Sequence, residues 1–177
     1  MVGKTHIAGG LALVSVSSVI LYKTGMLSSD QMIVQQATLL ASAGLGALIP
    51  DIDMKGSKIS RKNPIISFFC RIFLTHRGFT HSPLSLLLFS EAVLYITKKL
   101  GYDYGIWAGM GLSIGYASHI LLDMFNPKGV PLLYPYKEKF SFGKVVTGTW
   151  VETFILLFCL LIAVICEGML FGVMRTG

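Results

Sequence analysis

The chain predicts an all-α fold, a polytopic membrane bundle of about five spans with one short interfacial or re-entrant helix. Three observations carry this. The 177 residues are 53% hydrophobic and only 14% charged, a composition that excludes an ordinary soluble domain. The apolar residues gather into near-continuous runs of about 15 to 23, the length that crosses a hydrocarbon core. The polar separators between the runs are short, which leaves no space for a separate soluble unit, so residues 1–177 read as one domain.

The first span covers residues 5–22 and is closed by the polar turn Lys23, Thr24, Gly25. It begins like a secretory signal, but no small-residue cleavage site follows, so it reads as a mature helix. The second, residues 31–49, is rich in alanine and glycine, which suits close packing of helices in lipid, and Pro50 stops it. A polar, basic loop at 54–63 leads through Pro64 to residues 65–74. That run is too short to span and is interrupted by Arg71, so it is the interfacial or re-entrant segment. The third span, residues 83–97, is short and ends at Lys98 and Lys99. The fourth, 105–125, precedes a basic loop at 128–144, and the fifth covers 151–174. Cys70, Cys159 and Cys166 lie in apolar surroundings without zinc-like spacing and read as packing residues.

Topology follows from the basic residues. With five spans, eleven of the fifteen lysines and arginines fall on the side of the N-terminus and four on the other. The positive-inside rule therefore makes the N-terminus cytoplasmic in a multi-pass membrane protein. The same assignment brings all four histidines to the cytoplasmic face, with three of the nine acids: His6, Asp51, Asp53, His76, His81, His119 and Asp123.

Any one of these, at a helix end, is adequately explained as a cap or an interfacial residue. Seven on one face, delivered by five segments, need partners at the edge of a low-dielectric medium, and neutral imidazoles with carboxylates find theirs in a divalent cation. Three aspartates and a hydroxide balance two divalent ions. Seven ligands also suit two ions better than one, since a catalytic zinc takes three protein ligands and keeps a position open. Zinc leads, with manganese, iron and magnesium as alternatives. Local spacing agrees. His119 and Asp123 are four apart in a helical run and share a face. Asp51 and Asp53 flank Ile52 after a proline stop. Gly78 permits a turn that brings His76 and His81 inward.

The motifs T-H-x-x-G, L-I-P-D-I-D, T-H-R-G-F-T-H-S, G-Y-A-S-H-I-L-L-D and N-P-K-G-V-P-L-L-Y-P together resemble the YdjM family, over about residues 3–155. The resemblance implies an inner-membrane, metal-dependent hydrolase-like domain whose metal and active-site residues are the seven named above. It also brings a LexA-binding label attached to some members. A fainter similarity, confined to the H-x-x-x-D helix and the order of aspartates and histidines, is to zinc-dependent phospholipase C.

The chemistry this predicts is hydrolysis by metal-activated water, with no serine or cysteine nucleophile. Arg77, between two histidines, is placed to grip a phosphate oxygen, though snorkelling at the interface explains it nearly as well. Lys55, Lys58, Arg61 and Lys62 are candidates for anionic headgroups, but topology alone accounts for a basic loop there. Glu152 is a candidate eighth ligand, general base or orienting carboxylate, and equally an acid favouring its helix dipole. Thr80, Ser82 and Ser118 are candidate outer donors. Asn126, with Pro127 and Gly129, ends the fourth helix and is a candidate to orient a ligand. Glu91 and Glu167 lie deep in apolar spans and require a proton, a partner or a cavity.

The favoured function is cleavage of a phosphoester of a phospholipid or lipid-linked substrate at the membrane face. The partners are then the bilayer and a lipid-like substrate, with no direct nucleic-acid contact. A divalent-metal transporter would carry ligands toward mid-membrane and on both sides. A regulatory membrane protein would bind a cytoplasmic partner, for which the loops offer little surface.

Overall fold

A computed structural model describes residues 1–27, 31–53, 78–101, 104–136 and 138–174. Among these, five α-helices stand where the apolar runs placed them: α1 (Gly3–Lys23), α2 (Met32–Gly46), α3 (Pro83–Leu100), α4 (Gly105–Asp123) and α5 (Trp150–Met174). Two 3-10 turns, Ile49–Asp53 and Phe79–His81, complete the regular structure. No β-strand occurs among the described residues, and one isolated antiparallel bridge joins Val130 to Phe140. The segment 65–74 lies outside them.

Helix boundaries follow from local chemistry. α3 starts where Ser82 Oγ accepts from the Ser85 N–H at 3.1 Å and Pro83 occupies the first turn, where its missing N–H costs nothing. It ends at Gly101, whose φ of 66° is left-handed and lets its N–H reach the Lys98 carbonyl. α2 cannot continue through Pro50 and tightens into the turn that carries Asp51.

Among the described residues, four helical stretches are long and apolar enough to cross a membrane: Gly3–Lys23, Met32–Ile52, Gly105–Asp123 and Trp150–Gly172. α3 is not one of them, since Glu91, Lys98 and Lys99 interrupt it. The five-span expectation thus resolves into five helices, four of them with the character of full spans. Glu91 is exposed on α3, whereas Glu167 is partnered: Ser15 Oγ and Gln36 Nε2 each donate to its Oε1 at 2.6 Å. Cys159 and Cys166 carry free thiols.

α4 is the central element, packed on α1, α2 and α3, while α5 leans on α1. Glycines set how closely α4 approaches. A Cβ at Gly111 or Gly115 would overlap the α2 backbone at Leu39 or Ala43, and one at Gly46 would overlap the Leu112 carbonyl of α4. On another face, a Cβ at Gly105 would stand 2.9 Å from the Thr97 carbonyl oxygen of α3. Gly111 and Gly115, four apart, therefore give α4 a seam of near backbone contact with α2, and Gly105 gives a close approach to α3, the usual way of gaining dispersion energy where lipid removes the hydrophobic drive. The α2 seam brings the end of α2 beside the last turn of α4, and that sets up the site.

Candidate metal centre

Five of the predicted ligands, those whose side chains are among the described residues, gather at one end of the bundle. His6 comes from the first turn of α1, Asp51 from the turn after α2, His81 from the turn before α3, and His119 and Asp123 from the end of α4. All five are buried, with His81 and His119 at 0% exposure, so their polarity must be met by partners within the protein or by what they bind.

Their donor atoms face each other. His119 Nε2 lies 3.3 Å from His81 Nε2, 3.7 Å from Asp51 Oδ1 and 3.8 Å from Asp123 Oδ2. His81 Nε2 is 3.8 Å from Asp51 Oδ1 and 3.6 Å from Asp123 Oδ2, and His6 Nε2 is 3.5 Å from Asp123 Oδ1. The His6 ring stacks on His119 with centroids 3.7 Å apart, and His81 meets His119 edge-on at 5.1 Å. Two groups each present their ligand atoms within 4.8 Å of one another: His6, Asp51, His119 and His81, His119, Asp123.

The donor chemistry fits a metal ion. His119 Nδ1 lies 2.7 Å from the Ala47 carbonyl oxygen; a carbonyl can only accept, so Nδ1 carries the proton and Nε2 of the neutral ring turns a lone pair into the cluster. Ring nitrogens and carboxylate oxygens standing 3.3–3.8 Å apart are donor types that a divalent cation takes. The Met1 nitrogen lies 3.1 Å from Asp123 Oδ1. Because His119 has only Nε2 to offer, the two groups compete for it.

One supporting residue, Tyr116, escapes a reading of the sequence, and it acts on the turn that also carries the expected outer donor Thr80. Tyr116, one turn before His119, donates its hydroxyl to the Thr80 carbonyl at 2.6 Å and touches Ser85 Oγ at 3.0 Å, while its ring stacks on Phe89. It latches the turn that bears His81 to α4. Thr80 Oγ1 in turn lies 3.0 Å from His81 Nδ1. A tyrosine three residues before a candidate ligand, within G-Y-A-S-H, was the available signal. Tyr116→Phe is expected to leave the helices intact and to lower metal affinity by about tenfold, the lower range for an outer-shell loss; titration of the metal-free protein by calorimetry measures it.

The other candidates divide. Glu152 lies beside the cluster: its Oε1 accepts from the Val2 N–H and from Thr5 Oγ1 at 3.1 Å, and its Oε2 from the Gly148 N–H at 2.7 Å. In this arrangement the carboxylate ties the first turn of α1, and with it His6, to the start of α5. Ser82 caps α3 and donates to the Phe79 carbonyl. Ser118 donates to the Gly115 carbonyl within its own helix. Asn126 organises the loop after α4, its Oδ1 accepting from the Lys128 N–H and its carbonyl from Ser141 Oγ. The side chain of Asp53, and His76, Arg77, Lys55, Lys58, Arg61 and Lys62, lie outside the described residues.

Fold and site together define a class: a multi-pass helical membrane protein with a buried histidine and aspartate cluster, able to hold a metal ion, at one end of its bundle. The profile of the YdjM inner membrane protein matches residues 1–175, and the chain belongs to that family. The uncharacterized protein YvsG of Bacillus subtilis is 41% identical over 135 residues, which cover 76% of this chain and 74% of the relative. The inner membrane protein YdjM of Escherichia coli is 38% identical over 119 residues, 66% of this chain and 60% of the relative. The uncharacterized protein YfhP of Bacillus subtilis is 27% identical over 138 residues, 76% of this chain and 37% of that relative. No solved structure matches, so the similarity to zinc-dependent phospholipase C gains no support from a shared fold.

Proposed function

We propose that the protein is a metal-dependent hydrolase of the cytoplasmic membrane face that cleaves a phosphoester of a phospholipid or lipid-linked molecule. The observation that carries this is the burial, at one end of a membrane bundle, of His6, Asp51, His81, His119 and Asp123 with their ligand atoms directed at one another. The split of basic residues supports a cytoplasmic location for that end.

In this reading His119 and His81 hold metal through Nε2, and Asp51 and Asp123 supply the negative charge. A second ion draws on Asp53 and His76, because Nε2 of His119 serves one ion only. A divalent ion bound here supplies a water acidified to near neutrality and an electrophile for the phosphoryl oxygen. The protein's part is orientation. Ala47 keeps the Nδ1 proton of His119 in place, the Tyr116–Thr80 latch sets the His81 ring, and Glu152 steadies the turn that carries His6. Arg77, adjoining His76 in sequence, holds a phosphate oxygen, and the 55–62 lysines and arginine draw anionic headgroups to the mouth. Zinc suits the imidazole-rich set, with manganese, iron and magnesium as the other ions to test.

Elemental analysis of the purified protein should find bound divalent metal. Turnover of phospholipids and polyprenyl phosphates, assayed with added zinc or manganese, should appear and be lost on treatment with a chelator. A protein that binds no metal removes the proposal. Transport has one observation in its favour: Ser15, Gln36 and Glu167 form a polar group within the bundle, away from the cluster. Metal bound without hydrolysis, but accumulated by proteoliposomes, would establish that reading; a cytoplasmic protein captured without either activity would favour regulation.

A further inference from the structure

A groove of about 210 Å³ runs along the outside of the bundle between α1, α4 and α5. From α1 it is lined by Gly9, Ala12, Leu13 and Val16, one stripe at helical spacing. Leu121 and Leu122 of α4 and Ile162 of α5 form much of the remaining wall. Two lining side chains carry a heteroatom other than carbon, Ser118 and Cys159, and the Ser118 hydroxyl is already given to the Gly115 carbonyl at 2.7 Å. Nothing there recognises a polar ligand. The groove lies within three helical stretches that have the length and composition of membrane spans, so what fills it is an apolar chain.

Its position distinguishes it from the general lipid surface. Gly9 is less than one turn beyond His6, Leu122 adjoins Asp123 and Ser118 adjoins His119, so three of its lining residues lie within one helical turn of candidate ligands. From Gly9 to Val16 the lining stripe runs roughly 10 Å along the helix, away from that centre. Gly9 is also where α1 yields to α4, because a Cβ there would overlap the Leu122 side chain. A molecule with its phosphate at the metal centre would therefore find a channel for its chain immediately below. Leu87 on α3 and Leu157 on α5 are exposed apolar side chains that are not part of this groove.

We propose that this groove seats the hydrocarbon chain of the substrate, so that the substrate is a single- or multi-chain lipid phosphoester entering sideways from the bilayer. This rests on the hydrolase reading above and adds the binding site for the tail. Apolar burial alone gives no preference for groove over bilayer, as both are hydrocarbon. Selectivity must come from a phosphate anchored at the metal centre together with a fitting channel.

The test uses the full-length, metal-loaded protein in phosphatidylcholine vesicles, with hexadecyl phosphate and hexadecanol, each carrying a mid-chain diazirine. The phosphate probe should label the groove segments of α1, α4 and α5 about tenfold more than the alcohol does, and Ala12→Phe should remove that preference, as a misfit in an apolar pocket does. Ile162→Trp, on the more open wall, repeats the block should Ala12→Phe fold poorly, and unchanged bound metal certifies both variants. Equal labelling by the two probes, or labelling spread equally over Leu87 and Leu157 and indifferent to both variants, overturns the groove assignment while hydrolysis and metal content, measured on the same samples, stand or fall separately. Groove labelling in a protein that hydrolyses no phosphoester overturns the substrate claim together with the hydrolase reading.

Discussion

Replacing His119 by alanine is expected to strip the protein of its metal. His119 is common to both groups of ligand atoms, and its Nε2 faces Asp51, Asp123 and His81 within 3.8 Å. No other described side chain can replace it, because its ring is held from behind by the Ala47 carbonyl and flanked by the His6 ring. The drop in affinity should exceed the ~10- to 100-fold that removal of an outer-shell partner costs. Asp51→Ala touches one group only and should retain the metal held by His81, His119 and Asp123. Elemental analysis of both variants beside the parent protein makes the comparison. Retention of full metal by both would remove the ligand assignment. Alanine also leaves the buried Ala47 carbonyl without its donor, at about 1–3 kcal/mol. His119→Gln, with a polar group of similar reach, separates that loss of stability from the loss of a ligand.

Gly115→Leu is expected to damage the fold more than any single ligand change. A Cβ at this position already overlaps the Ala43 carbonyl oxygen and stands 2.8 Å from the Ala47 nitrogen. Both neighbours are backbone atoms of α2, so the conflict cannot be relieved by a rotamer change; the helices must part. Overpacking of this kind costs about 3 kcal/mol or more. Separation of the helices also withdraws Ala47 and Asp51 from His119, so metal affinity should fall with stability. Gly115→Ala should show both effects in reduced form. Gly168→Ala on α5, where nothing lies within 4 Å of the added carbon, serves as the contrast: it should change stability by at most about 1 kcal/mol, in the favourable direction that alanine has in helices. Thermal unfolding in detergent, followed by circular dichroism with and without metal, reports all three. An unfolding temperature for Gly115→Leu equal to that of the parent would mean that α2 and α4 do not meet through this seam.

The helices were legible because their signals are local. An apolar run of sufficient length records its own tendency to cross a membrane, and Pro50, Ser82 with Pro83, and Gly101 act on the residues beside them. The candidate ligands were legible for a related reason: a histidine or aspartate at the edge of an apolar run stands out by its cost. Charge counting then sent His6, Asp51, His81, His119 and Asp123 to one face without any knowledge of packing. The full-span count was less legible, since α3 has the length of a crossing helix but carries Glu91, Lys98 and Lys99.

Other features depended on what one helix does to another. Glu152 had the chemistry of a ligand, yet Val2, Thr5 and Gly148 engage both of its oxygens, and partners some 150 positions away leave no local mark. Ser82 and Ser118 stood beside histidines in sequence, but the Ser82 hydroxyl caps α3 and donates to the Phe79 carbonyl, and that of Ser118 turns to its own helix. Ala47 has no polar side chain to attract notice, although its carbonyl sets the tautomer of His119.

The sequence alone thus determined the solvent, the helices and the chemical character of the candidate site, because composition, apolar run length and polar residues out of place are properties of short stretches. Only the tertiary structure decided which of those polar groups face one another, which are spent on capping and bracing, and that a groove opens between α1, α4 and α5. Those outcomes follow from the spacing between helices, and that spacing is set by pairs of glycines whose effect appears only when another backbone arrives to fill the space they leave.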